Sequence, residues 1–227
     1  MSKKYSRYQD YVIKEGKLVG EFDEMYKDFD DPWHQSTREV FASEKAVGLN
    51  LLQHLKHKFN IKKVVELGCG FGDYSARIAE MGIDTIGIDI SPTAIQKAIS
   101  KHTSLAKGSR KLEFLVSEFA SFDKLRELNP DVILMPEITW YVLDQLVDFR
   151  SFLRDELPDT FLIHMLMTYD PGVQVYGKEY FTTLPEILKF FNMHYLESGL
   201  VNVSTGGART WFLGTWNKNL LDTWNGD

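Results

Sequence analysis

The side chains of this sequence best placed to do chemistry are Glu66, Asp89, Glu118, Glu137 and His164, each at or near the end of a predicted strand. Open α/β sheets bind ligands outside the carboxyl ends of their strands, so these groups are expected to face one crevice. Glu66 begins the run Glu66-Leu67-Gly68-Cys69-Gly70-Phe71-Gly72, with three glycines set two apart. Glycine admits positive φ and lets a ligand approach the backbone with no Cβ in the way. The helix that resumes at Asp73 adds free N–H groups and a positive dipole end. Asp89 follows about twenty residues later, the separation at which such sheets set a carboxylate on ribose hydroxyls. The alternative is that Asp89 only caps the next helix. The glycine spacing departs from the dinucleotide pattern, because the third glycine comes one residue early and Asp73 stands where that pattern has glycine. No Lys-Ser/Thr pair follows, so the turn is not a P-loop.

A strand–helix alternation must position these groups. Val64 and Val65 start the first strand, and a helix runs from Asp73 to Met81. Asp84 to Asp89 is the second strand, with Ser91 as N-cap and Pro92 at the first position of a helix reaching about His102. Lys111 to Val116 alternates as a third strand, and Asp131 to Met135 is apolar enough for a buried fourth. A helix from about Asp144 to Glu156 precedes a fifth strand, Thr160 to Met167. Thr168 to Tyr180 is a long loop rich in tyrosine, of a kind that usually binds or covers something, which makes Tyr176 and Tyr180 substrate candidates. Thr182 or Thr183 caps a helix with Ile187, Leu188, Phe190 and Phe191 inward. Tyr195–Val203 and Ala208–Trp216, joined by Ser204-Thr205-Gly206-Gly207, form a hairpin. Upstream, Ser36 is expected to cap a helix to about Lys58, burying Val40, Phe41, Ala46, Val47, Leu51, Leu52 and Leu55. Residues 1–31 read as loops and a short helix outside the core.

The 227 residues suit one α/β domain with a sizeable core. A net charge of −6 argues against a nucleic acid as the main partner. The single cysteine, Cys69, excludes an intrachain disulfide framework and a cysteine-rich zinc site, and fits a reducing cytoplasm. Within the turn it reads as a small residue that fits there. The six histidines are scattered, and no metal site is readable. No apolar run is long enough to span a membrane, and Met1-Ser2-Lys3-Lys4-Tyr5 has no apolar core of a signal peptide.

The form Glu-Leu-Gly-Cys-Gly-Phe-Gly, with Asp89 behind it, resembles the cofactor site of class I methyltransferases that use S-adenosylmethionine (SAM). The Asp31-Pro32-Trp33 approach, the long helix and the run Glu137-Ile138-Thr139-Trp140-Tyr141-Val142-Leu143-Asp144 resemble the nodulation N-methyltransferases and enzymes that modify sugars and surface polysaccharides. The resemblance spans roughly residues 32–217. It implies a Rossmann-like sheet of seven strands, mostly parallel with a C-terminal antiparallel hairpin, over 36–227, with residues 1–35 as an N-terminal helical lid. It also implies a cofactor site of Trp33, Gln35, Glu66, Gly68, Cys69, Gly70, Asp89, Ile90, Glu118, Phe119 and Pro136. Glu118 and Phe119 would meet the adenine, although the family more often carries Asp at the first of these. Trp33 either lines the site or anchors the N-terminal arm. Tyr141, Trp140 and Trp33 would form an aromatic wall beside the sulfonium, and Tyr141 and Trp140 join Tyr176 and Tyr180 as substrate contacts. Glu137 and His164 are the candidate bases, against a hydrogen-bonding role for Glu137 and a core role for His164. The implied activity is methyl transfer to a small polar acceptor: a sugar, nucleotide-sugar or capsule intermediate, phosphoramidate modifications included. N-methylation of an amino acid or peptide, or a non-catalytic SAM-binding subunit, are the alternatives. A soluble monomer or homodimer in the cytoplasm is expected.

Overall fold

The computed structural model describes residues 3–37, 41–103, 112–170, 172–204 and 206–226. Its centre is a seven-stranded sheet in the order β5-β4-β3-β6-β7-β9-β8. The strands are β3 (Lys63–Leu67), β4 (Asp84–Asp89), β5 (Leu112–Val116), β6 (Val132–Pro136), β7 (Phe161–Thr168), β8 (His194–Val203) and β9 (Gly207–Thr215). The first five are parallel; β9 runs antiparallel to both β7 and β8. The expected architecture, parallel strands followed by an antiparallel hairpin, is the one observed.

Side chains alternate across the sheet, so each strand feeds two cores. Val65, Leu67, Ile133, Met135, Leu162 and Leu166 pack with α5 (Phe122–Leu128), α6 (Leu146–Glu156) and α7 (Leu184–Phe191). Val64, Val132, Leu134, Phe161, Ile163 and Met165 face α2 (Ser43–Phe59), α3 (Asp73–Glu80) and α8 (Lys218–Asn225). Helix α4 (Pro92–Lys101) starts as expected: Pro92 is its first residue, and Ser91 Oγ accepts from Ala94 N at 3.1 Å.

Two expectations fail. Helix α2 starts at Ser43, not Ser36, because the Ser36 hydroxyl is committed elsewhere: it donates to Asp73 Oδ2 at 2.8 Å and accepts from Lys101 Nζ at 2.6 Å. Leu51, Leu52 and Leu55 are buried as expected, but Ala46 is exposed and Phe41 is 73% exposed ahead of the helix. Val40 and Lys111 lie outside the described residues. The described part of residues 1–31, from residue 3 on, is not peripheral either. The hairpin β1 (Ile13–Lys14) and β2 (Lys17–Leu18) and helix α1 (Phe22–Asp28) bury Tyr11, Val12, Met25 and Tyr26 against Phe71 and Ala94. This segment is fastened to α4: Asp23 Oδ1 accepts from Ser91 Oγ (2.7 Å) and Thr93 N (2.9 Å), and Lys97 Nζ donates to Tyr26 O (2.6 Å).

Candidate active site

β3 and β6 are neighbours, but their connections leave in opposite directions along the sheet, β3 toward β4 and β6 toward β7. A crevice opens at such a reversal, beyond the carboxyl ends of the strands. Here it is a cavity of about 660 Å³, covered by Tyr8, Phe22, Tyr26 and Trp33 of the N-terminal segment. That volume lies within the range of small-molecule sites, roughly 300–1,000 Å³.

The glycine turn forms its floor. Gly68, Gly70 and Gly72 all have positive φ (72°, 53° and 72°). The N–H groups of Gly68 and Cys69 donate to Ile88 O, which ties the turn to β4. A Cβ on Gly68 would overlap Ile138, and one on Gly70 would overlap the Gln35 side chain. Gln35 braces the turn from above: its Oε1 accepts from Phe71 N at 3.1 Å, and its Nε2 donates to Tyr26 Oη at 2.8 Å.

Asp89 ends β4. Its Oδ2 accepts from Gly70 N and its Oδ1 from Ser91 N, both at 2.9 Å, so one carboxylate fixes the turn, the next helix and a wall of the cavity. Burial pushes its carboxyl up against the pull of those N–H donors. Glu66, buried below the turn, accepts from Ser75 Oγ, and burial raises its carboxyl to about 7. Burial also raises the Cys69 thiol well above its ordinary value, so it is not a thiolate. Asp73 titrates the other way. Burial alone would raise it, but His102, Lys101 and Ser36 hold it down to about 2.

Glu137 stands just beyond β6 with φ +61°, a left-handed conformation rare outside glycine and asparagine. Two β7 contacts hold it: its N–H donates to Met165 O at 2.9 Å, and its Oε2 accepts from Met167 N at 3.0 Å. Its Oε1 is buried with no hydrogen-bond partner, and the side chain lines the cavity. Burial, and then the charge of Glu44, raise its carboxyl to about 7. Such a group is half ionised near neutrality and suited to accepting a proton.

Trp33, Gln35, Glu66, Gly68, Cys69, Asp89, Ile90, Glu118, Phe119, Pro136, Glu137, Trp140 and Tyr141 all line this cavity, and Gly70 holds Asp89 from the turn. Three expected residues do not. His164 does not line the crevice: strand alternation sets it with Leu162 and Leu166 in the core, and its ring lies 5.1 Å from Phe191 and 5.0 Å from Phe212. Its Nε2 meets Thr139 Oγ1 at 2.7 Å, and burial lowers its basicity to about 3. It is a neutral core residue, not a base in the crevice. Tyr176 turns back onto the α6–α7 core and Tyr180 is 40% exposed outside it.

The sequence reading missed Tyr26, Lys45, Tyr169 and Arg209, which also line the cavity. Arg209 donates to the buried Glu44 at 2.7 Å, a pair spanning the N- and C-terminal parts of the chain. The one sequence signal was an arginine within an otherwise apolar and small-residue strand. Among the described residues no group of three or more His, Cys, Asp or Glu is arranged to hold a metal, and no helix is long and apolar enough to cross a membrane.

Residues 58–175, just over half of the chain, match the family described as "Methyltransferase domain". The chain belongs to that family and is a class I, SAM-dependent methyltransferase. Solved structures share its fold at low identity. Monomeric WbdD superposes with a TM-score of 0.59 at 14% identity, over 81% of this chain and 43% of its own, so this chain spans less than half of that protein's length. The N-methyltransferase NodS from Bradyrhizobium japonicum WM9, crystallised with S-adenosylhomocysteine (SAH), gives 0.55 at 14% identity, over 82% of this chain and 93% of its own. Magnesium protoporphyrin IX methyltransferase from Synechocystis PCC 6803, also with SAH, gives 0.55 at 17% identity, covering 92% of both.

Proposed function

We propose that this enzyme methylates an oxygen or nitrogen of a small polar acceptor, of the sugar, nucleotide-sugar or surface-polysaccharide kind, with Glu137 receiving the proton. The observation that carries this reading is the buried, unpartnered Oε1 of Glu137 facing the cavity.

The polar groups of the crevice fit SAM part by part. Asp89 retains lone pairs for a ribose diol. Ile90 and Phe119 offer apolar surface to a purine, and Glu118 an acceptor for its amino group. Glu66 and the turn backbone suit the amino-acid end. Tyr26, Trp33 and Tyr141, with ring centroids 6.1–6.2 Å apart in successive pairs, present aromatic faces to a sulfonium. SAM supplies a methyl carbon whose bond to sulfur breaks, the pair staying on sulfur, as an acceptor lone pair attacks in line.

The protein's part is alignment and proton removal. Alignment supplies much of the acceleration of a displacement between two held reactants. The aromatic cover excludes water, and the two β7 hydrogen bonds to Glu137 fix where its free oxygen waits. NodS is described as an N-methyltransferase and WbdD as a bifunctional kinase-methyltransferase; these support, by resemblance, a polar acceptor with an exchangeable proton. The test is transfer of labelled methyl from SAM to a panel of sugars, sugar phosphates, nucleotide-sugars and amino sugars. The wild type should label at least one compound and Glu137→Gln should not. Amino acids and short peptides are assayed beside them, and labelling of these alone would overturn the acceptor class.

A further inference from the structure

The chain carries a net charge of −6, yet two basic residues, Lys45 and Arg209, line the same cavity as Glu137. Lys45 comes from the first turn of α2. Its ammonium has no hydrogen-bond or ion-pair partner among the described residues, and lies 5.7 Å from the Tyr74 ring centroid. Its charge acts on two carboxylates of the same cavity, Glu66 and Glu137, pulling both down against their burial, but no direct ion pair claims it. Arg209 is fixed by Glu44, the residue before Lys45, which is fully buried and accepts from its Nη1. The same rung of the sheet fixes Glu137: Arg209 pairs with Met167, and Met167 N donates to Glu137 Oε2. The residue that holds the base and the residue that carries the guanidinium are therefore directly opposed in one antiparallel pair, whose Cα atoms lie roughly 4.5–5.5 Å apart, with Glu137 on the β6 edge of β7. A molecule with its nucleophile on Glu137 would bring its next substituents to Arg209 and Lys45.

Resting on the function proposed above, we infer that the acceptor is an oxyanion: it carries a phosphoryl or carboxylate group, held by Lys45 and Arg209, close to the oxygen or nitrogen that is methylated. Glu44 is a positioning residue that orients the guanidinium and never touches the acceptor. The planar guanidinium supplies direction and the ammonium supplies charge.

The test titrates the SAH-loaded protein by calorimetry with three probes: glucose 1-phosphate, glucuronate and methyl glucoside. The phosphate or the carboxylate should bind at least about tenfold more tightly than the neutral glucoside, the better of the two identifying the group. That advantage should shrink as salt is raised. Lys45→Met should weaken acid binding by about tenfold and leave SAH affinity unchanged. Arg209→Met alone would strand a buried carboxylate and risk misfolding, so the pair is removed together as Glu44→Met with Arg209→Met, with the same loss expected. Equal binding of the neutral probe, failure of both acids to bind, or acid binding that survives both variants overturns the proposal. So does a fall in SAH affinity on Lys45→Met, which would assign the ammonium to the cofactor. A wild type that takes up no SAH refutes the cofactor site itself, and this inference falls with it.

Discussion

Replacing Glu137 with glutamine should move stability and activity in opposite directions, by amounts that depend on pH in a defined way. In the folded chain this carboxyl is raised from 4.5 to about 7. Between those two values the folded state holds a proton that the unfolded state releases, so the wild type loses stability as pH rises through this window and is level above it. The loss is about 3 kcal/mol at 1.36 kcal/mol per pH unit. Glutamine cannot ionise, and its amide oxygen can still accept from Met167 N. Its NH2 group, where Oε1 now sits without a partner, costs about 1 kcal/mol. The variant should therefore match or fall slightly below the wild type at pH 5 and exceed it by about 2 kcal/mol at pH 8. Guanidinium unfolding of both proteins at the two pH values measures this without any acceptor. Methyl transfer should fall by about 10²–10⁴-fold, and the rise in rate through pH 7 should vanish. A stability difference that is the same at pH 5 and pH 8 would refute the burial argument. An inflection near pH 7 persisting in the variant would refute the assignment of the base.

Asp89→Ala strands the N–H groups of Gly70 and Ser91 and removes the diol acceptor, so SAH affinity should fall by about 1–3 kcal/mol in a calorimetric titration. Gly68→Ala, at φ +72° and against Ile138, should cost about 1–2 kcal/mol of stability from backbone strain alone, read by thermal melting, and should weaken SAH as well. His164→Ala removes a ring stacked on Phe212 and packed at a tilt against Phe191, and should destabilise the fold by about 2–4 kcal/mol, while turnover per folded molecule stays at the wild-type value; slowed turnover at full stability would return His164 to the chemistry. His164 also adds to the loss of stability in acid. Its basicity is lowered from 6.5 to about 3, so the unfolded chain takes up a proton first and stability drains as pH falls through that interval, an effect His164→Phe should remove.

What could be read from the sequence was local. The β3–turn–α3 unit and the Ser91-Pro92 start of α4 are encoded by adjacent residues whose conformational preferences agree: β-branched pairs, glycines at positive φ, a cap followed by proline. The five parallel strands and the hairpin followed from period and turn chemistry. The start of α2 was misjudged because Ser36 looks like a cap by type, but its partners, Asp73 and Lys101, are remote in sequence. The burial of Tyr11, Met25 and Tyr26 was missed for a related reason: a short, polar segment reveals nothing of the Phe71 and Ala94 surface it will cover. His164 sat in the expected strand, but only the registration of that strand against α7 decides which face it takes. Lys45 gave no signal and Arg209 only its residue type, because the arginine's setting comes from its rung with Met167 and from Glu44, which is remote in the chain, not from any local spacing.

The strand order has a practical outcome for any shortened version of this protein. β8 touches the sheet only through β9, although β8 is made first. Until Gly207 and the residues after it are in place, β8 has no strand to pair with and the outer edge of β7 lies bare. A chain ended before that point would forfeit two strands together, and would present an apolar ladder of Ile163, Met165 and their neighbours to other molecules, an invitation to aggregation. Tags and fusions therefore belong beyond α8, where they leave this last insertion undisturbed.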